Sequence, residues 1–149
     1  MEARRQRFLF GEIGLFKVGC FGFEENLWGD GEKRVFVNMW ESPALLKVVA
    51  FAWRVFLNCI PTRGNLALRN VLPSDSSLLC ALCERVEESA LHLFLHCGVA
   101  SLVWLKLILW LDFWFLIPPS LFVHWECWSL GGRSKKMVKG LWLFWHTTI

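Results

Sequence analysis

The chain has 149 residues, enough for one domain with a real core, and 55% of them are hydrophobic, with ten Trp, thirteen Phe and no Tyr. That apolar share exceeds the roughly 45–50% of ordinary soluble domains, so part of the surface is expected to face a partner. A net charge of +3 is too small to announce a nucleic-acid binder, and the excess lies in the last third, mostly in Arg133, Lys135, Lys136 and Lys139.

Residues 1–40 are cut by Gly11, Gly14, Gly19, Gly22, Gly29 and Gly31 into short apolar pieces such as "LFKV" and "VFVNMW", which read as short strands or loops. Glu12 and Lys17 interrupt the first apolar stretch and no small-residue cleavage pattern follows. No secretory signal is expected, and an intracellular setting, nucleus or cytoplasm, is favoured. In a reducing compartment clustered thiols bind metal more often than they pair as disulfides.

After Pro43, "ALLKVVAFAWRVFLNCI" predicts a helix with Leu45, Val48, Val49, Ala52, Val55, Phe56 and Cys59 turned inward, ended by Pro61. Thr62 caps a second helix, "RGNLALRN", with Leu66 and Leu68 inward and Arg63 and Arg69 in water. "VLPSDSSLL" is a turn-rich connector to Cys80. Ser89 then caps a long helix running from about Ala90 towards Leu111, weakened at Gly98.

Residues 102–125 have the mean hydropathy of a membrane span, but Lys106 and Asp112 lie inside and Pro118-Pro119 break the run. A buried or partner-facing helix is the expectation; membrane association is disfavoured without being dismissed. A last helix begins near Ser134, and its apolar pattern is still running at Ile149, as in a truncated element. Trp125, Trp128, Trp142 and Trp145 stand at helical spacing and read as core rather than as a base-stacking platform.

"CALCERVEESALHLFLHC", Cys80 to Cys97, contains three of six cysteines and two of four histidines. Zinc takes four thiolate or imidazole ligands in a tetrahedron, and a Cys-x2-Cys turn lets two sulfurs meet one ion. Cys80 and Cys83 meet that demand; His92, His96 and Cys97 supply the rest with one candidate to spare. On a regular helix His92 and His96 share a face, whereas Cys97 is rotated about 140° from His92, which favours His96. Gly98 permits a distortion that would bring Cys97 in instead. Four protein ligands leave no open position for water, so one structural Zn2+ is expected. Cys20, Cys59 and Cys127 lack ligand spacing, and His124 and His146 sit next to Trp in apolar runs; all five read as packed or incidental side chains.

The stretch from about Val35 to Trp104, with "WESPALLKVVAFAWRVFLNCIPTRGNL", "CALC", "EESALHLFLHC" and "ASLVW", resembles the zinc-binding domain that follows the polymerase core in plant LINE-type retrotransposon reverse transcriptases. The resemblance implies Cys80, Cys83, His92 and Cys97 as the metal ligands, with His96 as the runner-up fourth ligand. Two departures stand out. Gly98 occupies a position usually held by Pro, and Ser42-Pro43 replaces a double proline. The fold class implied is mainly α, a small helical domain organised around a zinc knuckle at residues 35–111. An irregular or short-strand flank at 1–34 and a Trp-rich helical flank at 112–149 complete the chain.

Polymerase chemistry needs paired carboxylates holding two metal ions. Asp30, Asp75 and Asp112 are scattered, no RNase H-type acidic set is recognisable, and Glu87 and Glu88 read as solvated or capping groups. No enzyme is expected. The resemblance instead implies a zinc-stabilised binding module presenting Arg54, Arg63, Arg69 and Arg85 to RNA or DNA. The alternative is a structural fragment that packs against neighbouring reverse transcriptase or RNase H domains, or a remnant without a present role, with residues 102–125 as its membrane-associating segment if it has one.

Overall fold

The structure, a computed structural model, describes residues 29–149. Among them lie six α-helices: α1 (Asp30–Trp40), α2 (Leu46–Phe56), α3 (Arg63–Leu68), α4 (Gly98–Trp110), α5 (Leu121–Leu130) and α6 (Lys135–Thr148). A single π-helical turn, His92–His96, precedes α4. The described residues contain no β-strand, only an isolated bridge between Leu79 and Glu87.

The first helix corrects the expectation of strands or loops over residues 30–40. Glu32 Oε2 accepts a hydrogen bond from the Gly29 amide at 3.0 Å, and Asp30 and Glu32 place negative charge in the first turn, where the helix dipole favours it. Val35 and Met39, four residues apart, are both buried. Tertiary burial of that face overrides the strand preference of "VFVNMW". The remainder of the predicted strand-or-loop segment, with Cys20, lies outside the described residues. The boundary drawn between 34 and 35 falls inside α1.

Helix α2 buries Val49, Ala52, Trp53, Val55 and Phe56, while Leu45 at its N-cap is 67% exposed. It ends in a Schellman arrangement: Asn58 has φ 51°, Cys59 N donates to Arg54 O at 2.8 Å and Asn58 N to Val55 O at 3.0 Å. Thr62 Oγ1 then accepts from Asn65 N at 3.2 Å and starts α3. The inward residue of α3 is Asn65, whose Nδ2 donates to Asn58 O at 2.7 Å and Ile60 O at 2.9 Å. Leu68, expected inward, is 80% exposed.

One continuous core joins α1, α2, α4, α5 and α6, so the Trp-rich flank is part of the same packing unit as the helices before it. Trp104, Trp125, Trp128 and Trp145 are all fully buried, and Phe56 of α2 stacks on Trp145 of α6 with centroids 5.3 Å apart. His124 is enclosed among Trp104, Phe115, Trp128 and Trp145. Trp145 Nε1 donates to its Nδ1 at 2.9 Å.

The helix expected to continue through 102–125 is interrupted. Asp112 adopts φ 55°, Phe113 N donates back to Ile108 O at 2.9 Å, and residues 113–117 belong to no regular element. In that stretch Phe113, Phe115 and Ile117 pack against the core, whereas Trp114 and Leu116 are 81% and 91% exposed. The Phe113 ring lies where a Cβ on Gly131 would sit, so any side chain at the end of α5 would have to displace that ring. Among the described residues no helix is long and apolar enough to cross a membrane.

Candidate metal centre

The knuckle is a tight loop closed by backbone bonds. Cys80 N donates to Val86 O at 2.8 Å, Glu88 N to Leu78 O at 2.8 Å, and Glu84 N to Cys80 O at 2.9 Å. Glu84 has φ 55°, the left-handed turn that folds the chain back after Cys83. This closure brings the two cysteines of the Cys-x2-Cys pair to one side, and Leu82 N points at Cys80 Sγ at 3.4 Å. An amide aimed at a thiolate stabilises its charge, as expected where sulfur is to ligate a metal.

The second half of the site comes from the chain leading into α4. Ser89 accepts from His92 N through Oγ at 3.1 Å and from Leu93 N through its carbonyl at 2.9 Å, which starts the turn as the sequence implied. The turn is π-helical rather than α-helical: Cys97 N donates to His92 O at 2.6 Å, five residues back. Cys97 itself is extended, with φ −61° and ψ 138°, and α4 restarts at Gly98. The uninterrupted helix predicted from Ala90 to Leu111 is therefore broken at Cys97.

That break decides which side chains converge. Wider winding and the extended Cys97 swing its sulfur to 4.0 Å from Cys80 Sγ, while Cys83 Sγ lies 3.3 Å from His92 Nε2. The ligand atoms of Cys80, Cys83, His92 and Cys97 all lie within 4.8 Å of one another. His96, which a regular helix would have placed beside His92, is exposed and turns its Nε2 to the Pro118 carbonyl at 3.2 Å.

Three sulfurs and one imidazole nitrogen suit Zn2+, and this compact set can hold one such ion. Cys80 and Cys97 are fully enclosed and Cys83 is partly open to solvent. The Cys83 thiol is lowered to about 6, first by the Arg85 amide and further by His92, against desolvation that raises it. Burial pushes the Cys80 thiol up. A bound cation would offset that burial by favouring the thiolate.

Breaking the helix frees carbonyls that α-helical bonding would have used, and two side chains of α4 satisfy them. Trp104 Nε1 donates to Phe94 O at 2.6 Å, and Ser101 Oγ to Leu95 O at 2.7 Å. Glu88, read from sequence as solvated or capping, is 8% exposed and so not solvated, and it caps the first amide of α3 while joining that helix to the knuckle. Its Oε1 accepts from Arg63 N at 2.9 Å at the start of α3, and its Oε2 from Ala81 N at 3.1 Å inside the knuckle. The Glu88 carbonyl also accepts from Gly64 N at 3.3 Å. These three supporting residues escaped the sequence reading; for Trp104 and Ser101 the only signal was the "ASLVW" string in the resemblance.

Of the four arginines read as nucleic-acid contacts, Arg63 is engaged at the site. Its Nη1 donates to Leu79 O at 3.1 Å and to Ser77 O at 3.4 Å, bracing the knuckle from outside. Arg54 on α2 and Arg85 on the knuckle are exposed, and Arg69 after α3 is half-buried. Cys59, read from sequence as a packed or incidental thiol, is instead disulfide-bonded and buried just after α2, and Cys127 is a half-buried thiol on α5; neither belongs to the cluster. Beside the knuckle, a cavity of about 440 Å³ is lined by Leu82, Leu93, Phe94, Val99, Val103 and Trp104, among others.

Comparison with curated proteins and comparison with solved structures each find no match. The model of one family, described as zinc-binding in reverse transcriptase, matches residues 25–104, more than half of the chain. The match spans α1 to α4 through Trp104 and includes the whole cysteine and histidine cluster. By that match this chain belongs to the zinc-binding domain family of reverse transcriptases.

Proposed function

We propose that the chain is an architectural, non-catalytic module in which one Zn2+ on Cys80, Cys83, His92 and Cys97 locks the knuckle to α4, and that the module so formed holds RNA or DNA for a LINE-type reverse transcriptase. The observation that carries the metal half is the convergence of four ligand atoms within 4.8 Å from two separate segments. Four protein ligands complete a tetrahedron and leave no position at which the ion could activate water. The nucleic-acid half draws on the family and on the solvent-facing Arg54 and Arg85.

Metal content per folded chain, compared among parent, His96→Ala and Cys97→Ser, tests the ligand set. One zinc in the parent and in His96→Ala, with loss in Cys97→Ser, is expected; loss in His96→Ala with retention in Cys97→Ser moves the fourth ligand to His96. For the second half, fluorescence anisotropy of a labelled RNA oligonucleotide and a DNA duplex is followed between 50 and 200 mM salt. Binding that falls steeply with salt and weakens in Arg54→Ala and Arg85→Ala is expected. A zinc-loaded protein that binds neither at low salt removes the nucleic-acid role.

A second reading is favoured by α4. Leu102, Val103, Leu105, Leu109 and Trp110 are exposed on it and Lys106 is its single charge. A helix apolar on every side suits packing against protein. Under this reading the module joins neighbouring reverse transcriptase or RNase H domains. Its test is whether aggregation of the isolated chain disappears on co-expression with those domains.

A further inference from the structure

We propose that the metal clamp is redox-controlled: a low-molecular-weight disulfide enters at Cys83 and converts the site into a Cys80–Cys83 disulfide, which releases α4. The inference rests on the metal-binding reading above and adds an order of events to it. That order comes from exposure and adjacency. Cys80 and Cys97 are fully buried and Cys83 is partly open, so an oxidant in solution meets Cys83 first. All three sulfurs lie within 4.8 Å of one another, and Cys80 is the one in hydrogen-bond contact with both Cys83 and Cys97. Cys80 is therefore the thiol placed to resolve an adduct on Cys83.

The chemistry balances as two thiol–disulfide exchanges. The Cys83 sulfur attacks one sulfur of the small disulfide, forming a mixed disulfide and expelling one thiolate. The Cys80 sulfur then attacks Cys83 Sγ, forming the Cys80–Cys83 bond and expelling the second thiolate. Two electrons pass from the protein to the small disulfide, and the ion, left with His92 and Cys97, dissociates as Zn2+.

The structural consequence follows from which elements the bond spans. Zinc ties the knuckle, through Cys80 and Cys83, to the segment carrying His92 and Cys97 at the head of α4. A Cys80–Cys83 bond closes the knuckle on itself and leaves Cys97 without a link. A bond between Cys80 and Cys97 would instead preserve the tie across seventeen residues. Only the first outcome makes oxidation a release.

The test uses the full chain with the cluster thiols reduced and zinc-loaded and the Cys59 disulfide intact, carrying Cys127→Ser, which removes a half-buried free thiol outside the cluster. Oxidised glutathione is added without air, zinc release is followed with a chromogenic indicator, and adducts and disulfides are mapped by mass spectrometry at early and late times. The expected result is a transient glutathione adduct on Cys83, then one zinc released per chain with Cys80–Cys83 bonded. Amide exchange at the first turn of α4, from Val99 to Ser101, accelerates at least tenfold, and dithiothreitol with zinc restores it. An early adduct on Cys80 or Cys97, a final disulfide containing Cys97, or zinc retained with Cys80 and Cys83 oxidised overturns the proposal. Reduced protein that carries no zinc before oxidant is added refutes the metal reading itself, and this proposal with it.

Discussion

The carboxylate of Glu88 accepts the backbone amide of Arg63 at 2.9 Å across twenty-five residues, and its other oxygen holds Ala81 N in the knuckle at 3.1 Å. One side chain thus sets where α3 begins and where the cysteine turn sits. Removing it leaves two amides without their acceptor, each costing about 1–3 kcal/mol where buried. Glu88→Ala is expected to lower unfolding stability by about 2–4 kcal/mol by the same reasoning. Zinc affinity should fall roughly 10-fold or more, as for other residues that orient ligands. Urea denaturation and chelator competition measure the two effects. A variant with parental zinc affinity shows that Glu88 supports α3 alone.

Gly98 opens α4 with nothing within 4 Å of a would-be Cβ, and Cys97 before it has the extended backbone that a following proline requires. Gly98→Pro should therefore stabilise the chain by about 0.5–1 kcal/mol, through the unfolded state. The same logic gives the opposite sign at Gly64, where a Cβ would come 2.9 Å from the Glu88 carbonyl oxygen. Gly64→Ala gains helix propensity of at most about 1 kcal/mol, yet it must push the Glu88 backbone away from the knuckle. Chemical denaturation of both variants should show shifts of opposite direction.

Trp104 is both a core residue and the donor to Phe94 O at 2.6 Å. Trp104→Phe keeps most of the apolar volume and loses the donor, stranding a carbonyl of the π-turn. A loss of about 1–3 kcal/mol is expected, beyond what the smaller ring costs. Ser101→Ala, which strands Leu95 O, should cost less because no core volume goes with it. If zinc binding and stability of Ser101→Ala match the parent, the freed carbonyls are satisfied in some other way.

His124 is buried, and burial together with nearby His96 lowers it from 6.5 to about 3. Its neighbours reinforce neutrality: Trp145 donates to Nδ1, and Trp128 Nε1 stands 3.4 Å from Nε2, so an imidazolium would meet donors on both sides. The folded state then declines a proton that the unfolded chain accepts below pH 6.5. Stability is complete above that value and falls as pH drops towards 3, with a slope approaching about 1.4 kcal/mol per pH unit. Between pH 7.5 and 5.5 the loss from this group is about 1.4 kcal/mol. His124→Phe is less stable at neutral pH but should lack that share of the decline, which separates it from protonation of the metal ligands. Equal declines in parent and variant would show that His124 does not govern it.

Local sequence determined the ends of elements and the place of the metal cluster, because those depend on residues close along the chain. Thr62 and Ser89 cap where their hydroxyls were expected to cap, the last helix starts at Ser134 as expected, and Pro118-Pro119 stand directly before α5 rather than inside a longer helix. Cys80, Cys83, His92, His96 and Cys97 were all visible as candidates from spacing. Spacing left the last two open, the resemblance implied Cys97, and in the tertiary structure it is Cys97 that joins the other three while His96 turns to Pro118. A π-turn and an extended Cys97 are held by bonds from Trp104 and Ser101, and no periodicity records that a helix will yield to such contacts. The same holds for α1, whose "VFVNMW" is helical because Val35 and Met39 find a core assembled from α2 and α5. Glu88 acquires its role only when α3 and the knuckle meet. Caps and ligand spacings are short-range, and choices between near-equal local conformations are settled by burial and by distant carbonyls and amides that must be satisfied.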